Sequence, residues 1–192
     1  MNISISNIIN GRVPTSTGPA PLVPGDGVTL WQNIFQVGVG LGEIWRNTSA
    51  VNWANKATFQ GVNANQDCVL KFKSLNPTYA IGMMGFTQRS LTPSQSVPSW
   101  NWYFHSHANE KFAAAEGYTR LAYSLSFGSI ADVWEIRRTM QLVLGVMEGV
   151  FTYYRNGSLY ATSSTYYSGE IDVSPSMYHL DIKFVDISLQ VL

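Results

Sequence analysis

Residues 149–162 read GVFTYYRNGSLYAT, and the dipeptide Asn156-Gly157 at their centre decides the fold. It separates two runs rich in β-branched and aromatic residues, the strongest short-range signal for a β-hairpin. A two-residue type I′ turn needs positive φ at both central positions, which Asn tolerates and Gly adopts freely. The expected register pairs Arg155 with Ser158, Tyr154 with Leu159, Tyr153 with Tyr160 and Phe151 with Thr162. Alternation places Phe151, Tyr153 and Tyr160 on one face and Thr152, Tyr154 and Leu159 on the other. Both faces are partly apolar, so the hairpin is expected in the interior of a layered β structure.

The same two-residue period runs outward from this hairpin. Residues 119–127 alternate Leu121, Tyr123, Leu125 and Phe127 against Arg120, Ala122, Ser124 and Ser126. Cys68, Leu70 and Phe72 share one face of residues 67–73, with Lys71 and Lys73 opposite. Residues 30–39, 41–46, 79–86, 100–105, 131–138 and 140–147 read as further short strands. The run 178–192 alternates Tyr178, Leu180, Ile182 and Phe184, then slips phase to Ile187, Leu189 and Val191, as a bulge would make it. Only residues 109–117 (NEKFAAAEG) predict a helical turn, capped by Asn109 and ended by Gly117. Many short strands with almost no helix predict an all-β antiparallel sandwich.

At the start of the chain, Pro14, Pro19, Pro21 and Pro24 exclude a helix or central strand, and the segment should run extended. Residues 1–27 are therefore expected as an arm, with Ile3, Ile5, Ile8 and Ile9 as anchors onto a neighbouring subunit, and residues 28–192 as one sandwich domain. A homo-oligomer or larger assembly built through 1–27 is the expected partner state. The N-terminus has no basic region and no long apolar run, so it does not read as a secretory signal. No apolar stretch is long enough to span a bilayer as a helix.

Charged residues make up 12% of the 192, about half the usual share, while aromatics reach 13%. The formal net charge is zero and no basic run exists, so the electrostatic footprint of a nucleic-acid binder is missing. One cysteine, Cys68, excludes an internal disulfide and any CxxC metal site, and reads as a buried thiol.

The succession Asp132-Val133-Trp134-Glu135-Ile136-Arg137-Arg138, a following strand and then Val150-Phe151-Thr152-Tyr153-Tyr154-Arg155-Asn156-Gly157 resembles the concanavalin A-like lectin/glucanase superfamily and its SPRY-domain relatives. That resemblance covers mainly 130–165 and implies a jelly roll. It also implies a setting of the kind found in phage and virus spike or tail proteins, hence a virion location, with an intracellular SPRY-like peptide-binding module as an alternative.

Catalysis is disfavoured by the residues themselves. Glycosidases of that superfamily carry acids spaced E-x-D-x-x-E, and retaining hydrolysis needs two carboxylates about 5–5.5 Å apart. Glu170 and Asp172 begin such a pattern, but Val173-Ser174-Pro175 breaks it, and Pro175 argues against a central strand there. They remain the only acids for the alternative of a glycan-active hydrolase. Asn63, Asn65 and Asp67 lack the Gly and terminal Glu of a calcium loop, and His105 and His107 with Glu110 lack a clear further zinc ligand. No cofactor and no metal are expected. What remains is binding of glycans or partners by aromatic-polar clusters: Trp100, Asn101, Trp102, Tyr103 and His105; Trp45, Arg46 and Trp53 (with Asn47); Tyr166 and Tyr167. Flat amphipathic rings flanked by hydrogen-bond donors suit carbohydrate recognition.

Overall fold

The computed structural model describes residues 20–25, 31–47, 55–75, 82–89, 102–107, 110–123, 128–178 and 182–192. In chain order its strands are β1 (Trp31–Phe35), β2 (Val37–Gly40), β3 (Glu43–Arg46), β4 (Asn55–Val62), β5 (Cys68–Ser74), β6 (Gly82–Gln88) and β7 (Trp102–His107). β8 (Glu110–Glu116), β9 (Thr119–Tyr123), β10 (Trp134–Val143), β11 (Val146–Arg155), β12 (Ser158–Tyr166), β13 (Ile171–Met177) and β14 (Lys183–Val191) follow. They form two antiparallel seven-stranded sheets, the first ordered β1-β4-β13-β6-β7-β8-β9 and the second β12-β11-β10-β5-β14-β3-β2. The chain is an all-β sandwich, without helix among the described residues. The arm's first nineteen residues lie outside those described. Leu22 bridges Leu189, its N–H donating to the Leu189 carbonyl at 2.6 Å.

The turn at Asn156 and Gly157 forms as expected, with φ of 52° and 78°. Val133 N–H donates to Asn156 Oδ1 at 2.9 Å, tying the turn to the strand beside it. Arg155↔Ser158 and Tyr154↔Leu159 pair as predicted, but Tyr153 opposes Ala161 and Thr152 opposes Thr162. Tyr160 is the extra residue of a bulge, and a second irregularity before Tyr166 accommodates Ser163–Thr165. The facing survives the shift: Phe151 and Tyr153 are buried, Tyr160 packs against the core and Leu159 is exposed. The hairpin is not wholly interior, since β12 is the edge of the second sheet.

The helical turn predicted for 109–117 is corrected to a strand over Glu110–Glu116, with Asn109 outside the described residues. β8 lies between β7 and β9, sending Phe112 and Ala114 into the core while Ala113 and Ala115 are buried on its other face. Tyr160 and Tyr153 of the second sheet donate to the Phe112 and Ala115 carbonyls at 2.7 and 2.9 Å. Burial and cross-sheet hydrogen bonds thus override the helix propensity of three alanines. Gly117 still ends the element, as the first residue of the β8–β9 turn. Pro175 is the second correction: β13 is a central strand between β4 and β6, with Pro175 opposite Met84. A missing N–H costs one ladder bond, whereas Val173 and Met177 on the same face are fully buried.

The predicted phase slip near the end of the chain is a bulge in β14, where the register shifts between Val185 and Ser188 and Asp186 takes φ of 52°. The core between the sheets is largely aromatic. Phe112 stacks on Trp134 at 4.2 Å, Trp102 on Phe151 at 3.8 Å, and Phe104 lies 5.0 Å from Trp134 and 5.3 Å from Tyr153. Each fully buried ring contributes about 2–3 kcal/mol. Cys68 is buried among them, and that burial pushes its thiol pKa up to about 12, so it is inert at neutral pH.

Candidate functional site

Trp100, Asn101 and Trp53 lie outside the described residues, so the first two predicted clusters are placed in part and the third, Tyr166 and Tyr167, in full. Trp102 is 2% exposed and belongs to the core, where its Nε1 donates to Ser163 Oγ and Thr165 Oγ1, both at 3.2 Å. Tyr167 joins it there, with ring centroids 5.6 Å apart, whereas Tyr166 is 48% exposed. Tyr103 and His105 share the outer face of the first sheet, 6.4 Å apart. That part of the face is closed to solvent: Tyr103 packs with Met83 and Ala115 in a second apolar cluster and donates to the Gly117 carbonyl at 2.6 Å. Burial pushes the Tyr103 pKa up to about 12. Trp45 lies under the Lys183 ammonium, 5.1 Å from its ring centroid, while Arg46 is buried and donates to the Tyr178 carbonyl.

The acids singled out for hydrolysis are committed to one cation. Arg89 Nε donates to Asp172 Oδ1 at 2.9 Å, and Arg89 Nη1 lies 3.0 Å from Glu170 Oε1. Gly61 N–H also donates to Asp172 Oδ1. This is a clasp between β4, β6 and β13 at a strand end, with both carboxylates held by the same guanidinium. The side chains of His107 and Glu110 lie outside the described residues, and no group of three potential metal ligands occurs among those described.

The loop carrying Asn63, Asn65 and Asp67 does surround a cation, but that cation is Arg138. Its side chain is fully buried, and Nε, Nη1 and Nη2 donate to the carbonyls of Gln66, Gly169 and Asn63 at 2.9, 2.6 and 2.7 Å. Asp67 Oδ1 accepts from Met140 N–H at 2.6 Å beside it. Burial pulls the Arg138 pKa below its ordinary value, with Asp67 among the nearby groups pulling the other way. Gly149 completes the clamp, because a Cβ there would collide with the Tyr167 carbonyl and the Arg138 side chain.

An open polar surface lies instead on the outer face of the second sheet. Glu135 pairs across to Lys71 on β5 and Tyr154 on β11, with Arg137 two residues along the same strand face. The Arg137 guanidinium sits 4.1 Å above the Tyr154 ring, and its Nε donates to Glu135. Lys71 Nζ lies 3.2 Å from the other Glu135 oxygen. Glu135 is 6% exposed, against 40% for Arg137 and 49% for Lys71, so two solvent-facing cations stand over a sunken carboxylate. Neighbouring Lys73 is already paired with Asp186 at 2.8 Å. Such a platform offers charge-assisted donors beside an aromatic ring held in place, suited to hydroxyl-rich or anionic ligands. Sequence reasoning read these residues only as a fold motif. Their signal was density: four of the seven residues 132–138 are charged in a chain that is 12% charged overall.

No protein-family model and no curated protein matches the chain. Solved structures do. A human SPRY domain superposes with a TM-score of 0.54 at 9% identity, covering 81% of this chain and 95% of that one. The exoplasmic/lumenal domain of VIP36, bound to Ca²⁺ and Man3GlcNAc, superposes at 0.53 and 8%, covering 84% and 83%. Stonustoxin gives 0.51 and 8%, covering 84% of this chain and 26% of that one. The fold is the jelly roll shared by SPRY and lectin domains, and the concanavalin A-like resemblance read from residues 130–165 holds at that level.

Proposed function

We propose that this chain is a non-enzymatic binding module that recognises anionic glycans on the outer face of its second sheet, as a surface component of a larger assembly such as a virion. The observation that carries the reading is the Arg137–Tyr154 stack over Glu135, flanked by Lys71. A guanidinium with one N–H committed to Glu135 and its carbon 4.1 Å over a ring is restrained before any ligand arrives, so little side-chain entropy is lost on binding. The acids Glu170 and Asp172 share Arg89, which favours binding over hydrolysis.

A glycan array probed with the full chain, followed by titration of the best ligand, tests it. Arg137→Ala should weaken binding about tenfold or more, equivalent to about 1.4 kcal/mol, with little change in stability at so exposed a position. An array without binders, or affinity unchanged in R137A, would refute the glycan reading. The assembly role draws on the proline-rich start of the sequence and its low charge. Removing residues 1–27 is expected to abolish incorporation into particles while the sandwich stays folded, and particles that take up the truncated chain at the normal level would contradict it.

A further inference from the structure

β10 and β11 run on beyond their neighbours. β5 pairs with β10 only as far as Arg138↔Cys68, and β12 pairs with β11 only as far as Val150↔Tyr166. Tyr167 N–H still bonds the Gly149 carbonyl and Asp67 still holds Met140 N–H, so the free ribbon runs from Gln141↔Glu148 to Val143↔Val146 and closes in a two-residue turn at Leu144 and Gly145. At the usual rise its paired part projects about 10 Å past the sheet.

Its tip is apolar on both faces. Leu142 is 74% exposed, Leu144 101%, Val146 59% and Met147 52%. No ionisable side chain occurs from Thr139 to Met147. With the partly exposed Met140 and Val143, these residues form a continuous, largely apolar tip instead of the scattered single hydrophobic side chains of an ordinary surface. Leu144 adds a second, independent observation: it takes φ of 50° with its side chain fully exposed. A bulky residue in the left-handed region is strained, and a side chain so exposed gains no burial to offset that strain.

We infer that this hairpin docks against the same hairpin of a second copy of the chain, about a two-fold axis. An uncharged apolar tip is self-complementary, as a two-fold contact requires. The backbone favours the same occupant. Since Val143 and Val146 close the turn, alternation directs the N–H and C=O groups of Leu142 and Met147 outward, onto free strand edges. A second ribbon can pair with those groups, whereas hydrocarbon would leave them unsatisfied. The tip also lacks the basic and aromatic residues that hold an interfacial segment on a bilayer.

Sedimentation velocity of the full chain over micromolar to millimolar concentration tests this, alongside L144N and the double variant L142S/L144N. Asn tolerates positive φ, so both variants should fold, with urea midpoints equal to or above that of the parent for L144N. The parent should sediment as a dimer, L144N should dissociate at least about tenfold more readily, and the double variant should be monomeric. A parent that is monomeric throughout, or a double variant that dimerises as the parent does, overturns the inference. So does tip-dependent flotation with zwitterionic phosphatidylcholine vesicles, which would make lipid the occupant.

Discussion

Arg138→Ala is expected to destabilise the chain by about 4–6 kcal/mol, the largest effect of any single polar substitution. Alanine removes the guanidinium donors to three carbonyls at Asn63, Gln66 and Gly169, and each buried acceptor left unpaired costs about 1–3 kcal/mol. It also leaves a cavity where a fully buried long side chain stood. Arg138→Lys keeps the charge but offers one compact donor centre in place of a planar fork, so it should recover less than half of the loss. Urea unfolding reads the stability, and amide exchange should show protection falling first in residues 63–67 and 167–169. A midpoint unchanged in the alanine variant would mean that the loops are held by other contacts.

Asp132→Asn should cost about 3 kcal/mol and remove part of the acid sensitivity of folding. The Asp132 carboxylate is buried and accepts from Ser129 N–H at 2.7 Å, Arg155 Nε and Nη2 at 3.1 and 2.7 Å, and Asn156 Nδ2 at 2.7 Å. Burial alone would raise its pKa, but the hydrogen bonds from Arg155, Ser129 and Asn156, with the guanidinium charge, outweigh it and hold the pKa below the usual aspartate value. A carboxyl whose pKa is lower folded than unfolded contributes stability that is complete above the unfolded value, about 3.9, and fades as pH falls through the folded one. Glu116 acts in the same direction: burial raises its pKa, but hydrogen bonds from Ser163, Thr165 and Ser164 lower it more. The parent should therefore lose stability steeply below about pH 4. D132N should start lower at pH 7 and fall less between pH 5 and pH 3 in urea titrations at each pH. Parallel curves for parent and variant would dismiss Asp132 as a source of the acid sensitivity.

What could be read from the residues alone follows from how local each signal is. Asn156-Gly157 carries its own turn geometry, and the phase slip around Asp186 is visible as two out-of-step apolar runs, so both appear in the strand register. Alternation in 68–72 likewise matched the burial of Cys68, Leu70 and Phe72. Ala113–Ala115 misled because alanine favours a helix when nothing else acts, and the deciding contacts come from Tyr153 and Tyr160, distant in sequence. The turn at Leu144-Gly145 carried no recognisable turn chemistry, since leucine is a poor choice for positive φ, so residues 140–147 read as one strand where the chain reverses between β10 and β11. For the site, aromatic density pointed to Trp102 and Tyr167, which the core claims, because a ring fits a core and a binding face equally well. The open platform depends on which charged residues of β10 face outward. Arg137 and Arg138 are adjacent, and alternation alone assigns them opposite fates once the apolar partner Ile136 marks the buried side.

The place of β14 has a consequence for how the protein is made. The last strand lies in the middle of the second sheet, between β5 and β3, and it is Ile187 N–H and Leu189 N–H that bond back to Gly42 and Leu22 near the other end of the chain. A ribosome extruding this polypeptide therefore holds β5 and β3 with facing edges unfilled until residue 191 emerges. Nascent chains should stay protease-sensitive until residue 191 has left the exit tunnel, and would depend on chaperone cover that a fold zipped from its beginning does not need.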